Sequence, residues 1–276
     1  MNKKVEISFI QFGIEADPFE SAVVETNVNK VCAMIDELEP HTMDLIILPD
    51  EIFGAYAYGP MNIPLDLENE YLDKIKEKAK EYSIYIAGSI MAKQDYISSY
   101  SKGFLIDRQG ELVFEQNRNN VFAQETRFVI KNQDEIKVYE TDFGKIALCV
   151  GIDILFPQIS QQLINKEIDI IISPNMYYGK NEETNELGYS SGFFQVAARA
   201  RAMENQAFVL MSNSTGINYH TDEQMVGKSM VVYPNGKYYE TDQREGSYSF
   251  ELDLANCEDK YMAVYDLKTL ADVNSN

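Results

Sequence analysis

The chain has 276 residues, 45% of them hydrophobic, with 24 basic against 44 acidic side chains and a formal net charge of −20. Such a length can bury a substantial core, and no stretch reads as a linker or a repeat, so residues 1–276 are expected to form one domain. So acidic a chain argues against nucleic acid and anionic membrane surfaces as partners, since both attract basic patches.

The opening "MNKKVEISFIQFG" passes straight into a strand pattern with no apolar leader or cleavage site, which predicts a cytoplasmic protein. A helix is expected over "ESAVVETNVNKVCAMIDELE", where Val24, Val28, Val31, Cys32 and Ile35 recur at helical spacing, so Cys32 reads as a core residue. "MDLIILP" is apolar on both faces, as a strand covered on both sides should be. "LENEYLDKIKEKAKEYS" is amphipathic helix and "IYIAGSIMA" strand. "SYSKGFLIDRQGELVFEQNR" alternates around Arg108-Gln109-Gly110 and reads as a hairpin. "IKVYETDFGKIALCVGID" reads as a second hairpin, turning near Asp142–Gly144. A helix "FPQISQQLINKE" leads to the strand "IDIIISPN", and a long helix "GYSSGFFQVAARARAMENQ" leads to the strand "AFVLMSNS". "GKSMVVYPNGKYYE" is a further hairpin and "GSYSFELDL" the closing strand. Helices alternating with buried strands, with hairpins mixed in, predict an α/β fold: a four-layer α-β-β-α sandwich.

The longest apolar runs fall far short of the roughly 20 residues that a membrane span needs. Cys32, Cys149 and Cys257 are an odd, widely spaced set, which predicts reduced thiols and no disulfide frame. His41 and His220 are the only histidines, and no cluster has metal-ligand spacing. No metal and no other cofactor is expected.

Several motifs in order resemble the nitrilase superfamily of carbon–nitrogen hydrolases, over nearly the full chain. They are "ISFIQF", "DLIILP", "DIIISPN", the helix-to-strand passage "RARAMENQAFVLMSNSTG" and the hairpin "GKSMVVYPNG". The resemblance implies a chemistry in which a Cys thiolate attacks an amide or nitrile carbon. A Glu serves as general base and acid, and a Lys with a backbone N–H beside the Cys stabilises the oxyanion. It also implies pairing of subunits through outer helices, here those after Asp153 and around Arg199–Asn205, so at least a homodimer is expected.

Carried over residue by residue, the resemblance meets departures. The family's nucleophile precedes an Asp by two, with Phe-Pro following; Asp153, Phe156 and Pro157 fit, and counting back gives Gly151. Counting forward from Gly144 gives Gly151 again. Cys149 lies two residues upstream, on the same side of a regular strand and displaced by about 6.5 Å, and reads as a buried core side chain. The Lys position, counted from Gly110 and checked by Phe122, holds Arg118, and the family's nearby His is Asn120. For the acid, a gap-free alignment from Pro49 to Tyr56 selects Asp50, whereas a one-residue bulge selects Glu51. A regular strand would send these two to opposite faces, so only one would enter the site. Glu125 matches a second acid near the family's pocket, or is an exposed loop carboxylate. Tyr56, Ile152 and Asn175 fall with Glu125 at positions that the resemblance assigns to substrate binding.

Three readings follow. The favoured one is a non-hydrolytic pseudoenzyme that binds a small polar ligand or a partner. The second is a thiol-independent enzyme in which Asp50 or Glu51 works with Arg118 in acid–base chemistry. The third is an amidase acting on a small amide through Cys149.

Overall fold

The computed structural model describes residues 4–14, 22–38, 40–54, 65–95, 98–122, 125–127, 129–179, 191–216 and 224–255. The first half builds β1 (Lys4–Gln11), α1 (Val23–Glu37), β2 (Leu45–Ile47), α2 (Glu70–Tyr82), β3 (Tyr85–Lys93), β4 (Ser99–Ile106) and β5 (Leu112–Asn117). The second builds β6 (Tyr139–Glu140), β7 (Lys145–Leu148), α3 (Pro157–Gln161), β8 (Ile170–Pro174), β9 (Tyr178–Gly179) and α4 (Ser191–Asn205). It continues with β10 (Phe208–Ser212), β11 (Gln224–Met225), β12 (Met230–Val232), β13 (Tyr238–Glu240) and β14 (Gly246–Asp253).

All the described strands but β9 and β11 form two six-stranded sheets, ordered β14-β1-β2-β3-β4-β5 and β13-β12-β10-β8-β7-β6. Each has a parallel centre, β1-β2-β3 in one and β7-β8-β10 in the other. Period-two alternation explains how the sheets pack. Ile7, Phe9, Leu45 and Ile47 of the first sheet face Leu148, Ile170, Ile172 and Leu210 of the second across a buried core. Ile46 and Leu48 instead face Val28, Val31 and Ile35 of α1 and Leu72, Ile75 and Ala79 of α2. On the other outer face, Ile171 and Val209 pack on Ala198 and Ala202 of α4. The α-β-β-α sandwich expected from the sequence is therefore the fold observed.

Local chemistry sets the element ends. The Asn69 side chain accepts from Tyr71 N and Leu72 N and starts α2, and Ser83 in the left-handed region ends it. The helix expected over "FPQISQQLINKE" is shorter than its pattern. After Gln161 the bonds tighten to Leu163 N→Ser160 O and Lys166 N→Leu163 O, one residue shorter than an α-helical step. The small β9–β11 ladder was not legible in the sequence. Among the described residues no helix is long and apolar enough to cross a membrane.

Glycine 103 lets the sheets close at one end. A Cβ on Gly103 would stand 2.6 Å from Val150 Cγ2 and 3.3 Å from Leu148 Cδ1. The bare backbone of β4 thus lies against the chain leaving β7, which brings Arg118, just past β5, over Gly151. At the same end Ser212 Oγ donates to Leu48 O at 2.7 Å and Asp50 N to Asn175 O at 3.1 Å, pinning sheet to sheet.

Candidate functional site

The carboxyl ends of β2, β5, β7 and β8 converge here, the usual place for a ligand in an open α/β sheet. β7 sends Leu148 into the inter-sheet core and Cys149 into the outer core against α4. Continued regularly, it would send residue 151 outward with Cys149. The chain instead takes φ +55° at Gly151 and enters a short 3-10 turn, Gly151–Leu155. A Cβ at Gly151 would then lie 3.0 Å from Asp50 Oδ2, 3.1 Å from Arg118 Cδ and 3.2 Å from Arg118 Nη1. The expectation that Cys149 shares a side with residue 151 is therefore corrected, because the left-handed glycine breaks the alternation. Cys149 is 1% exposed, and burial, with Asp153 adding, pushes its thiol well above the usual range.

Asp50 and Glu51 also depart from the strand reading. β2 ends at Ile47, and residues 50–53 form a turn in which Glu51 has φ +51°. Both carboxyls are buried, at 2% and 3% exposure, so the turn admits both where a strand would have admitted one. Asp50 Oδ1 accepts from Glu51 N at 3.0 Å and from Ser89 Oγ in a short hydrogen bond. Asp50 Oδ2 faces Gly151 and stands 3.8 Å from Arg118 Nη1. Glu51 Oε1 is buried with no hydrogen-bond partner. Burial raises both carboxyls, against the pull of Arg118; Asp50 is a further cause of the rise at Glu51. A buried, strained, unpartnered acid is the kind of arrangement that accumulates at functional sites.

Arg118 is 2% exposed. Its Nη2 donates to Glu125 Oε2 at 2.8 Å, and Glu125 also accepts from Phe122 N at 2.8 Å. Glu125 is thus a buried partner of Arg118 and no exposed loop carboxylate. Burial opposes the guanidinium charge, but Glu125, Asp50 and Glu51 together hold it and raise its pKa. The Nε atom has no partner, although it lies covalently between Cδ and the Nη1 group, both against Gly151.

Asp153 closes the floor. Its carboxylate accepts from Asn119 N (2.7 Å), Asn120 N (2.8 Å) and Asn120 Nδ2 (2.8 Å), tying the segment after Arg118 to the turn after Gly151. Burial nevertheless pushes it up to about 6. Asn175 Nδ2 donates to Ser173 O and Oγ, and Tyr177 Oη donates to Asn175 Oδ1 in a short bond, so its amide is occupied internally. Ile152 is buried in the 3-10 turn, next to Gly151. Tyr56 lies outside the described residues. Ser89 and Tyr177 were missed in the sequence. Ser89 had a signal, a hydroxyl in the middle of an apolar strand; Tyr177, whose Oη lies 3.2 Å from Gly151 O, had none. No group of three or more metal-ligating side chains with suitable geometry occurs among the described residues.

Two six-stranded sheets of this order, with acids and a cation at their carboxyl ends, define a four-layer α-β-β-α sandwich. Residues 9–260 match the family described as "Carbon-nitrogen hydrolase", and the chain belongs to it. It is 24% identical over 263 residues to "Omega-amidase NIT2-A" of Xenopus laevis, covering 91% of this chain and 89% of that one. It is likewise 24% identical over 256 residues to the "2-oxoglutaramate amidase" of Bacillus subtilis, covering 91% and 92%. Among solved structures, a carbon-nitrogen hydrolase from Helicobacter pylori G27 superposes with a TM-score of 0.83 at 15% identity, covering 96% and 94%. An amidase from Nesterenkonia sp. superposes at 0.77 and 16% identity, covering 96% and 95%.

Proposed function

We propose that this chain is a thiol-independent member of its family, acting on a small ligand with a trigonal carbon–nitrogen group such as a carboxamide. Gly151 takes the place of the family's nucleophile, and Asp50 and Arg118 take the places of its acid and its cation. The observation that carries the reading is the direction of Gly151: a side chain there would point straight at Asp50 Oδ2 and Arg118. The similarity to named amidases supports the ligand class.

The chemistry open to such a site uses water. A water at the Asp50/Glu51 carboxyl pair gives it a proton as its oxygen bonds to the trigonal carbon. The carboxyl pair returns that proton to the leaving nitrogen as the C–N bond breaks, giving an acid and an amine or ammonia. Arg118 faces the developing oxyanion, with its planar fork in place of a compact ammonium. Cys149 takes no part, being turned to the other side of the strand.

A second reading is binding without turnover. It is favoured by the grip of Glu125 on Arg118, which fixes the guanidinium before any ligand arrives. A panel of small amides, assayed before and after exhaustive thiol alkylation, tests both. Slow hydrolysis unaffected by alkylation supports the first reading. Saturable binding without turnover supports the second, and hydrolysis abolished by alkylation overturns both. We also propose that residues 1–276 act as one domain with a small-molecule ligand, and that the chain pairs with itself through α3 and α4.

A further inference from the structure

We propose that Glu51, and not Asp50, is the carboxyl that takes and returns the proton in this site, and that Asp50 is a positioning residue that fixes a charge beside it. The inference rests on the hydrolytic reading above, which uses the two acids as a pair, and it divides the work between them.

The two carboxyls differ first in how they are held. Asp50 Oδ1 accepts from Glu51 N at 3.0 Å and from Ser89 Oγ, and Oδ2 has Arg118 Nη1 at 3.8 Å. Such donors favour the ionised form and fix its direction. Glu51 Oε1 is buried with no hydrogen-bond partner. The backbone beneath it is pinned nonetheless. Glu51 N donates to Asp50, Gly54 N donates to Glu51 O at 3.1 Å, and Ile52 N donates to Ser89 O at 3.2 Å. These bonds hold Glu51 at φ +51°, a region that residues with a side chain rarely enter. The turn thus spends strain on burying a second carboxyl and leaves one of its oxygens unbonded.

They differ next in the charges around them. Burial is the largest influence on both and raises both. At Asp50, Arg118, Ser89 and the N–H of Glu51 pull the other way, while Glu125 adds to the rise. At Glu51 the charge of Asp50 adds to burial, Glu125 adds again, and Arg118 alone opposes. Tyr177, after β8, faces Asp50 and Arg118, and Asp153, after β7, faces Arg118. The pair therefore loses its protons in two steps, Asp50 first, and the charge on Asp50 then holds the proton on Glu51. A base with a raised pKa takes protons more readily once ionised.

In its ionised form Glu51 takes a proton from water as the water oxygen bonds to the trigonal carbon and the C=O electron pair moves onto oxygen. Glu51 then gives that proton to the nitrogen as the C=O bond reforms and the C–N bond breaks. Asp50 neither gains nor loses a proton. The step needs ionised Glu51, so the rate climbs as pH rises through the raised value of Glu51. Removing the charge of Asp50 lowers that value and moves the climb to lower pH.

Infrared absorption of the protonated carboxyl, recorded on the full chain, shows where the proton sits without any ligand. Above about pH 6 ordinary carboxyls are ionised, and Asp153, pushed up to about 6, is common to every variant. A protonated band should persist there in the parent, disappear in Glu51→Gln, and titrate at lower pH in Asp50→Asn. Hydrolysis of acetamide should fall by at least about a hundredfold in Glu51→Gln, and its climb with pH should shift to lower pH in Asp50→Asn. Gln has the shape of a protonated Glu, and circular dichroism checks the fold; if Glu51→Gln does not fold, the two Asp50→Asn shifts decide. A band lost in Asp50→Asn and kept in Glu51→Gln puts the proton on Asp50 and overturns the inference. A pH profile that Asp50→Asn leaves in place overturns it as well. Full activity in Glu51→Gln overturns the role of Glu51 and leaves the hydrolytic reading standing. A parent chain that hydrolyses no amide overturns that reading and the proton transfer through Glu51 with it.

Discussion

Placing a thiol at Gly151 tests the reading of the site at its most exacting point. Gly151 has φ +55°, where an L side chain costs about 1–2 kcal/mol. The new Cβ would meet Asp50 Oδ2 at 3.0 Å, Arg118 Cδ at 3.1 Å and Arg118 Nη1 at 3.2 Å, each tighter than ordinary contact. None of the three moves freely, since Asp50 is held by Ser89 and Glu51 N, and Arg118 by Glu125. Overpacking of this kind adds roughly 1–3 kcal/mol. Gly151→Cys should therefore lower the melting temperature by about 5–10 °C for a chain of this size. Turnover should be weak even so. The acid is one methylene short as Asp50, and Arg118 crowds the space where an oxyanion would form. Residues that act as a unit repair non-additively, so adding Arg118→Lys and Asp50→Glu should raise the rate by more than the product of the single effects. The assay is hydrolysis of small amides beside iodoacetamide labelling and thermal unfolding. A Gly151→Cys chain as stable as the parent, with full amidase activity on its own, would refute the assignment of Asp50 and leave Glu51 as the base. A triple variant that stays inactive with an accessible thiol and an intact fold would show a pocket diverged beyond these three positions.

Native Cys149 should alkylate slowly at neutral pH and rapidly only after unfolding, because it is buried and its thiol is held protonated; fast stoichiometric labelling of the folded chain would restore it as a nucleophile. Gly103→Ala should cost about 1–3 kcal/mol, since its methyl would press on Val150 Cγ2, and a melting temperature unchanged by it would contradict the close approach of β4. Burial raises Asp50 and Glu51 above unfolded values of about 3.9 and 4.3. The folded chain thus keeps protons that the unfolded chain has already lost, and this part of its stability falls as pH rises above about 4. The melting temperature of Glu51→Gln should gain on the parent as pH rises from 4 to 8; a constant difference would count against a raised Glu51. Light scattering at micromolar concentration should give a dimer mass, with Val196→Glu on α4 shifting it toward monomer, since Phe193 and Val196 are 53% and 62% exposed on that face; a monomeric parent would end that proposal.

What the sequence determined by itself was the layering. Apolar runs such as "DLIILP", helical spacing in α1 and α2, and turn residues at Gly110 and Gly144 each act over a few neighbours, and such local rules survive into the fold. It also brought Asp50 or Glu51, Arg118 and Gly151 forward as one set, by counting from motif anchors, and Asp50 Oδ2 stands 3.8 Å from Arg118 Nη1, both facing Gly151. Tertiary structure alone decided which way these groups point. Glu51 enters the site because a turn with a positive φ replaces the strand, and Cys149 leaves it because Gly151 reverses the alternation. Glu125 became a buried partner because its loop folds back onto Arg118 seven residues earlier. No local pattern encodes a reversal of side-chain direction at one residue, or a carboxylate left without a partner. Both arise where two sheets close on each other, and there the direction of a single Cβ is set by residues far away in the chain.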